Sequence, residues 1–246
     1  MKKSPLWLLP IFVANLSLQA GESAPPVVEP KDSGGWEQEI ILGYDSHYIF
    51  RGETLQKNVG WAQWSLDIPL NDTFSLNFNP WFYEDLDSDF NEYDLNLTLS
   101  ASLGTYEVSV AYSGYFYPRG GLGGGLGLND EQEFSLSVAH DLFSLKATAL
   151  VAYNLERDGY YFELLLAQPY EINDTFSVEL SVALGFDSNY YAGGTGFNHV
   201  QPMLSVPIKL TESLTLQPYV AGNFPMDHLD YDQARFFGGI QLGISF

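Results

Sequence analysis

The stretch Phe236–Phe246, FFGGIQLGISF, decides the fold. Phe236, Gly238, Ile240, Leu242, Ile244 and Phe246 share one parity; Arg235, Phe237, Gly239, Gln241, Gly243 and Ser245 share the other. Apolar residues on one parity and small or polar residues on the other make a β-strand with one oily face. What covers that face, a second sheet or lipid, is decided by the rest of the chain.

The same alternation recurs upstream. In FSVELSVALGF, Phe176, Val178, Leu180, Val182, Leu184 and Phe186 oppose Ser177, Glu179, Ser181, Ala183 and Gly185. In YDLNLTLSASL, Tyr93, Leu95, Leu97, Leu99, Ala101 and Leu103 oppose Asp94, Asn96, Thr98, Ser100 and Ser102. Segments of this kind start near 36, 59, 73, 93, 105, 131, 143, 159, 175, 198, 214 and 234, and none shows helical period. Twelve is an even number, and the lengths suit tilted strands that cross a bilayer.

The breaks alternate too. PLNDT, LGT, HDL, EINDT and KLTES are tight; between them fall longer breaks such as EDLDSDFNE, PRGGLGGGLGLND, SNYYAGGTGFN and PMDHLDYDQ. NDTFS occurs twice, at Asn71 and at Asn173, and points to one turn chemistry used twice. Pro80, Pro202, Pro207 and Pro218 fall inside the alternating segments, where each removes a ladder donor, and are expected at bulges or strand ends.

Aromatic residues answer the opening question. At the short-turn ends the outward residues are Trp36, Phe74, Tyr106, Phe143 and Phe176, then Leu214, with Phe246 at the same level. At the long-loop ends they include Tyr48, Phe82, Tyr93, Phe116, Phe134, Tyr153, Phe162, Phe186, Phe224 and Phe236, and between the sets lie Leu, Val, Ile and Ala. Rings at both edges of an aliphatic band are what two lipid–water interfaces select, and a soluble sandwich has no use for them. The sequence therefore predicts an all-β, transmembrane antiparallel β-barrel of about twelve strands over residues 36–246. Short periplasmic turns and longer extracellular loops would place it in the outer membrane of a Gram-negative cell, with outer-membrane lipid and the barrel-assembly machinery as partners. A ring at position 246 resembles the signal that this machinery reads.

Composition narrows the remainder. The 10 basic residues against 31 acidic ones exclude nucleic acid as a partner, because phosphates would repel the chain. Cysteine is absent, so no disulfide or thiolate metal site is available, and no cofactor is implied. Residues 1–20 read as a signal peptide: Met1-Lys2-Lys3, an apolar core, then Leu18-Gln19-Ala20 as the cleavage signal. Residues 21–35, GESAPPVVEPKDSGG, read as a flexible Pro- and Gly-rich leader.

Within ILGYDSHYIFRGETL, the run Asp45-Ser46-His47-Tyr48-Ile49-Phe50-Arg51-Gly52 resembles the first-strand element of the TorF-type porin family of Gram-negative bacteria. His47 stands where that family usually carries Asp. The resemblance covers about ten residues and implies an outer-membrane barrel with a transport role.

Parity also assigns the lumen. Glu37, Glu39, Asp45, Asp67, Asp94, Glu107, Glu133, Glu163, Glu179 and Asp187 point inward, with only Arg51, Lys146, Lys209 and Arg235 as inward bases. An acidic lumen concentrates cations, so the expectation is a narrow, cation-preferring channel for small solutes. The competing expectation is a structural or adhesive barrel plugged by these same groups. Trp61, Trp81, Tyr83, Tyr115, Tyr117 and Tyr161, with Phe237, are inward rings near the long-loop mouth, placed to stack on solutes or to fill a constriction. In EDLDSDFNE the residues Asp85, Asp87 and Asp89 offer calcium-type oxygens, but Phe90 stands where a calcium loop turns on glycine. A barrel enzyme would draw on His47 with Asp45, or on His199 with Asp187 and Ser188, and neither pair lies in a hydrolase signature.

Overall fold

The computed structural model describes residues 35–118, 130–191, 194–229 and 232–246. The expected signal peptide, nearly all of the leader and most of the Gly-rich loop lie outside these residues. Each alternating segment pairs with its neighbours in chain order: β1 (Glu37–Phe50), β2 (Glu53–Pro69), β3 (Phe74–Asp85), β4 (Asn91–Leu103), β5 (Tyr106–Phe116) and β6 (Glu131–Leu142). There follow β7 (Leu145–Asn154), β8 (Gly159–Glu171), β9 (Ser177–Ser188), β10 (Thr195–Ser205), β11 (Ile208–Lys209), β12 (Leu214–Pro225) and β13 (Arg235–Ser245). Two pairings close the wall: β1 lies against β13, and β10 lies against β12. The two-residue β11 carries on the line of β10 against β12, so the barrel has twelve antiparallel staves, one of them interrupted at Val206-Pro207. Closure leaves no unpaired edge, which is the condition for a sheet to stand in hydrocarbon.

The outer wall carries the aliphatic band. On β4, Leu95, Leu97 and Leu99 are 44%, 45% and 40% exposed, while Asp94, Asn96 and Thr98 on the other parity are buried inside. Trp36, Phe74, Tyr106, Phe176 and Phe246 ring one end of the band, and Tyr93, Phe134, Phe162, Phe224 and Phe236 the other, all exposed. The repeated NDTFS element is one turn made twice. Asn71 Oδ1 accepts from the amides of Thr73 and Phe74, and Asn173 Oδ1 accepts from those of Thr175 and Phe176. An Asn side chain closing on backbone amides two and three residues on is a local alternative to ladder bonds, and it ends a strand sharply.

Four sequence expectations change. The break after β1 is a two-residue turn, Arg51-Gly52, so β2 starts at Glu53 and not near 59. Tyr48 is 1% exposed and packs inside on Trp81 and Tyr83, although it still pairs with Gln56 in the register of Asp45 and Val59, and the slip between β1 and β2 follows it, before Ile49. Phe143 occupies the tip of the β6–β7 turn at φ 62°, beyond β6 and before β7, and does not open a strand. Of the prolines only Pro207 breaks a strand; Pro80, Pro202 and Pro218 sit inside paired segments opposite Leu95, Val182 and Ile240.

Candidate functional site

The long-loop half of the lumen is closed by its own side chains. The Arg51-Gly52 turn dips into the barrel, and Arg51 is 4% exposed. Its guanidinium grips the Glu133 carboxylate of β6 with both Nη atoms and donates to the Tyr190 hydroxyl. Phe50, Tyr161 and Tyr190 surround it, with the guanidinium carbon 4.6–4.9 Å from the ring centres. Glu133 also accepts from Tyr115 and Tyr190, at 3.3 and 2.8 Å. Burial opposes the arginine's charge, yet the adjacent Glu133, then Tyr190 and Tyr115, hold its pKa well above the ordinary arginine value.

Gly52 makes the dip possible. It has φ +85°, and a Cβ there would meet Asn198 Oδ1 and His199 Nδ1 at 2.4 Å. Three further contacts pin the turn: Tyr191 donates to the Phe50 carbonyl, Asn223 donates to the Gly52 carbonyl, and Asp232 accepts from the Thr54 amide. The DSHYIFRG stretch is thus the segment that fills the lumen from above. Asp45 anchors its start by accepting from Trp61 Nε1 at 2.8 Å and from the Tyr219 hydroxyl at 2.5 Å.

A second pair flanks the first. Arg157, between β7 and β8, forks onto Glu131 at 2.8 and 2.9 Å and lies 5.3 Å from the ring centres of Tyr190 and Tyr191. The expected mouth rings Trp61, Trp81, Tyr83, Tyr115 and Tyr161 are all buried, and Tyr117 stacks on Phe90 at 6.0 Å. Glu163 accepts from Tyr161 at 2.6 Å, and Asp187 takes Asn198 and His228, both at 2.8 Å. Rings and paired charges together form a septum.

The short-turn half differs. Glu37, Glu39, Asp67, Glu107, Glu179 and Lys146 are half-buried, and Lys209 is exposed at the rim on the inward parity of its partner Thr215. Asp67 lies opposite Glu37 and accepts from Asn77 at 2.9 Å. Lys146 sits opposite Asp141, within electrostatic reach of Glu107 and Glu179. At the other, long-loop end Arg235 is tied to Asp232 at 3.6 Å and donates to Thr54 at 3.1 Å. The vestibule is acidic; in the septum above it Arg51 and Arg157 are paired with Glu133 and Glu131.

The enzyme-like groupings do not assemble. Ser188 bonds Thr195, His199 Nδ1 meets Asn198, and Asp187 is engaged by His228. Asp45 is occupied by Trp61 and Tyr219, leaving His47 beside Ser46 at 3.5 Å. The calcium candidates come apart as well. Asp85 caps its own loop through the Asp87 amide and Ser88, and Asp87 accepts from Asn58. Among the described residues no three of His, Cys, Asp and Glu converge as a metal site, Asp89 included. Sequence reasoning missed Arg157, Tyr190 and His228, which come from breaks that fold inward, and Glu131, which opens β6; Glu92, read as an oxygen donor of the EDLDSDFNE loop, sits on the inner face of β4.

No known family profile and no curated protein sequence matches the chain. Its fold is similar to that of an outer membrane channel from Pseudomonas putida F1, with TM-score 0.59, 10% identity, and 89% of this chain and 98% of that one covered. It is also similar to the NanC porin, with TM-score 0.51, 11% identity, and 85% and 98% covered. At such identities the likeness establishes the barrel fold.

Proposed function

We propose that the chain is a porin-like outer-membrane channel for small solutes, narrow and cation-preferring. The observation that carries this reading is the charge of the half-buried periplasmic vestibule, where Glu37, Glu39, Asp67, Glu107 and Glu179 face Lys146 and Lys209. A vestibule of one sign raises the local concentration of counter-ions and repels ions of its own sign. The exposed aliphatic band between two aromatic rings supports an outer-membrane location. The resemblance of Asp45–Gly52 to TorF-type porins and the fold shared with the Pseudomonas putida F1 channel favour transport over catalysis.

The septum favours a second reading, a plugged structural barrel, and conductance separates the two. Purified protein in planar bilayers under a salt gradient should give small, cation-preferring currents whose preference weakens with salt, since the screening length is about 10 Å at 0.1 M and shorter above it. Anion preference overturns the charge argument. Silence favours the structural barrel, and hydrolysis of lipid or peptide by the same preparation favours an enzyme.

A further inference from the structure

Between β12 and β13 the chain makes one helical turn, Asp227–Leu229, that packs on the start of β10. Leu229 is fully buried, and the Met226 amide donates to the Asn198 carbonyl at 2.8 Å. Further on, Asp232 accepts from the Thr54 amide at 2.9 Å, just past the Arg51-Gly52 dip. The described parts of this break are thus fastened twice, once to the β9–β10 wall and once beside the segment that fills the lumen.

His228 makes the first fastening. Its Nε2 stands 2.8 Å from Oδ1 of Asp187, a side chain wholly enclosed near the end of β9. Neither atom is oriented for a hydrogen bond, with the other or with any further group of the described protein. The second Asp187 oxygen accepts from Asn198, whose own oxygen meets His199 at 2.7 Å. A close contact without hydrogen-bond geometry draws its attraction from charge, and that charge is present only while His228 carries a proton. Histidine is the side chain whose charge changes between about pH 5 and 8. Among the described residues the other charges nearby are engaged or distant. Asp227 is exposed to solvent, Asp232 is held by Thr54 and Arg235, and Asn198 stands between Asp187 and His199.

We propose that the Asp227–Leu229 turn is an acid-set latch: protonated His228 clamps it onto Asp187 and holds the mouth shut over the Arg51 dip, and neutral His228 releases it. Asn198 couples the parts. Its side chain holds Asp187 and lies against Gly52, and its carbonyl holds Met226. As a gate the latch rests on the channel reading; as a movement of the turn it does not.

Amide hydrogen exchange of the detergent-solubilised full barrel reads the latch without conduction. After correction for the pH dependence of exchange itself, residues 226–229 should be protected on the order of tenfold better at about pH 5.5 than at about pH 7.5. His228→Gln should remove that difference and leave protection at the lower level. Asp227→Asn, one residue away in solvent, should keep it. Wild-type currents in planar bilayers should be smaller at the acid pH, and those of His228→Gln equal at both. Wild-type protection that ignores pH overturns the latch. So does a pH difference that survives His228→Gln, which would put the proton on His199. If exchange responds as expected and the bilayers stay silent, the latch stands and the channel reading falls. Wild-type current that rises in acid together with protection overturns the gate.

Discussion

Arg51 and Glu133 meet across the lumen, one carried by the turn after β1 and the other by β6, five strand steps round the wall. Both are nearly inaccessible, and the contact is a two-pronged ion pair reinforced by Tyr115 and Tyr190. Removing one partner of such a pair strands the other charge in a poorly hydrated interior. Arg51→Met should therefore lower stability by about 3–5 kcal/mol, as read from urea unfolding in detergent. Arg51→Met/Glu133→Met should recover much of the loss, because the stranded carboxylate is gone. Equal losses in the single and double variants would mean that packing, and not charge, makes the contact.

The turn that delivers Arg51 depends on its glycine. Gly52→Ala combines a left-handed backbone with a methyl driven into Asn198 and His199 at 2.4 Å. The expected cost is about 1–3 kcal/mol, with the Phe50–Arg51 dip lifted from the lumen. Protease cleavage after Arg51 should become faster than in wild type; unchanged cleavage would show that the turn tolerates the methyl where it lies.

The outer wall makes a contrasting prediction. Leu97 lies in the aliphatic band at 45% exposure, and Leu97→Arg should cost about 2–4 kcal/mol and slow membrane assembly. Glu107→Gln, on the inner parity, should assemble normally. Equal tolerance of the two in a heat-modifiability assay would reverse the assignment of faces.

Much of this is legible in the sequence alone, and the boundary is physical. Outward positions obey one rule each, set by lipid depth, so Leu95, Leu97, Leu99 and the rings at Phe74 and Phe236 can be read by parity alone. Inward positions obey parity only for direction. What Glu133 touches depends on how the wall closes and on where the β1–β2 turn goes, and neither is a local property. Tyr48 departs from parity ahead of the slip at Tyr48/Ile49, and nothing in the pairing of β1 explains its turn inward. Pro207 looked no different from Pro80, although only Pro207 interrupts its strand, and nothing in the structure explains why the other tolerates pairing. Arg157 and Tyr190 belong to breaks without alternation, and no pattern announces that such a segment will fold inward.

The vestibule charges should act on permeation and not on folding. Glu107 and Glu179 both border Lys146 in the half-buried vestibule at the short-turn end. Glu107→Gln/Glu179→Gln should move the reversal potential toward zero while heat-modifiable mobility stays as in wild type. A reversal potential that stays put would assign selectivity to the septum alone.

Alkaline pH should loosen the septum through its loop tyrosines. Tyr190 and Tyr191 lie outside the strands, and burial raises both pKa values well above the ordinary tyrosine value of 10.0. For Tyr190 the nearby Arg51 pulls the other way, and for Tyr191 the neighbouring Tyr190 adds to the rise. A raised value means that the folded state keeps a proton that the unfolded state releases. Stability is then complete below the unfolded value, and it falls as pH climbs past about 10, because the folded state binds more protons there. Unfolding free energy measured from pH 8 upward should stay level and then drop above about pH 10. Tyr190→Phe should flatten that drop, since phenylalanine keeps the ring stacked on Tyr161 and Tyr191 and removes the titrating hydroxyl. The same variant should lose a little stability at neutral pH, because Glu133 and Arg51 each lose one hydrogen-bond partner. A drop of unchanged size in Tyr190→Phe/Tyr191→Phe would place the alkaline transition on other tyrosines of the lumen and clear the loop of any part in it.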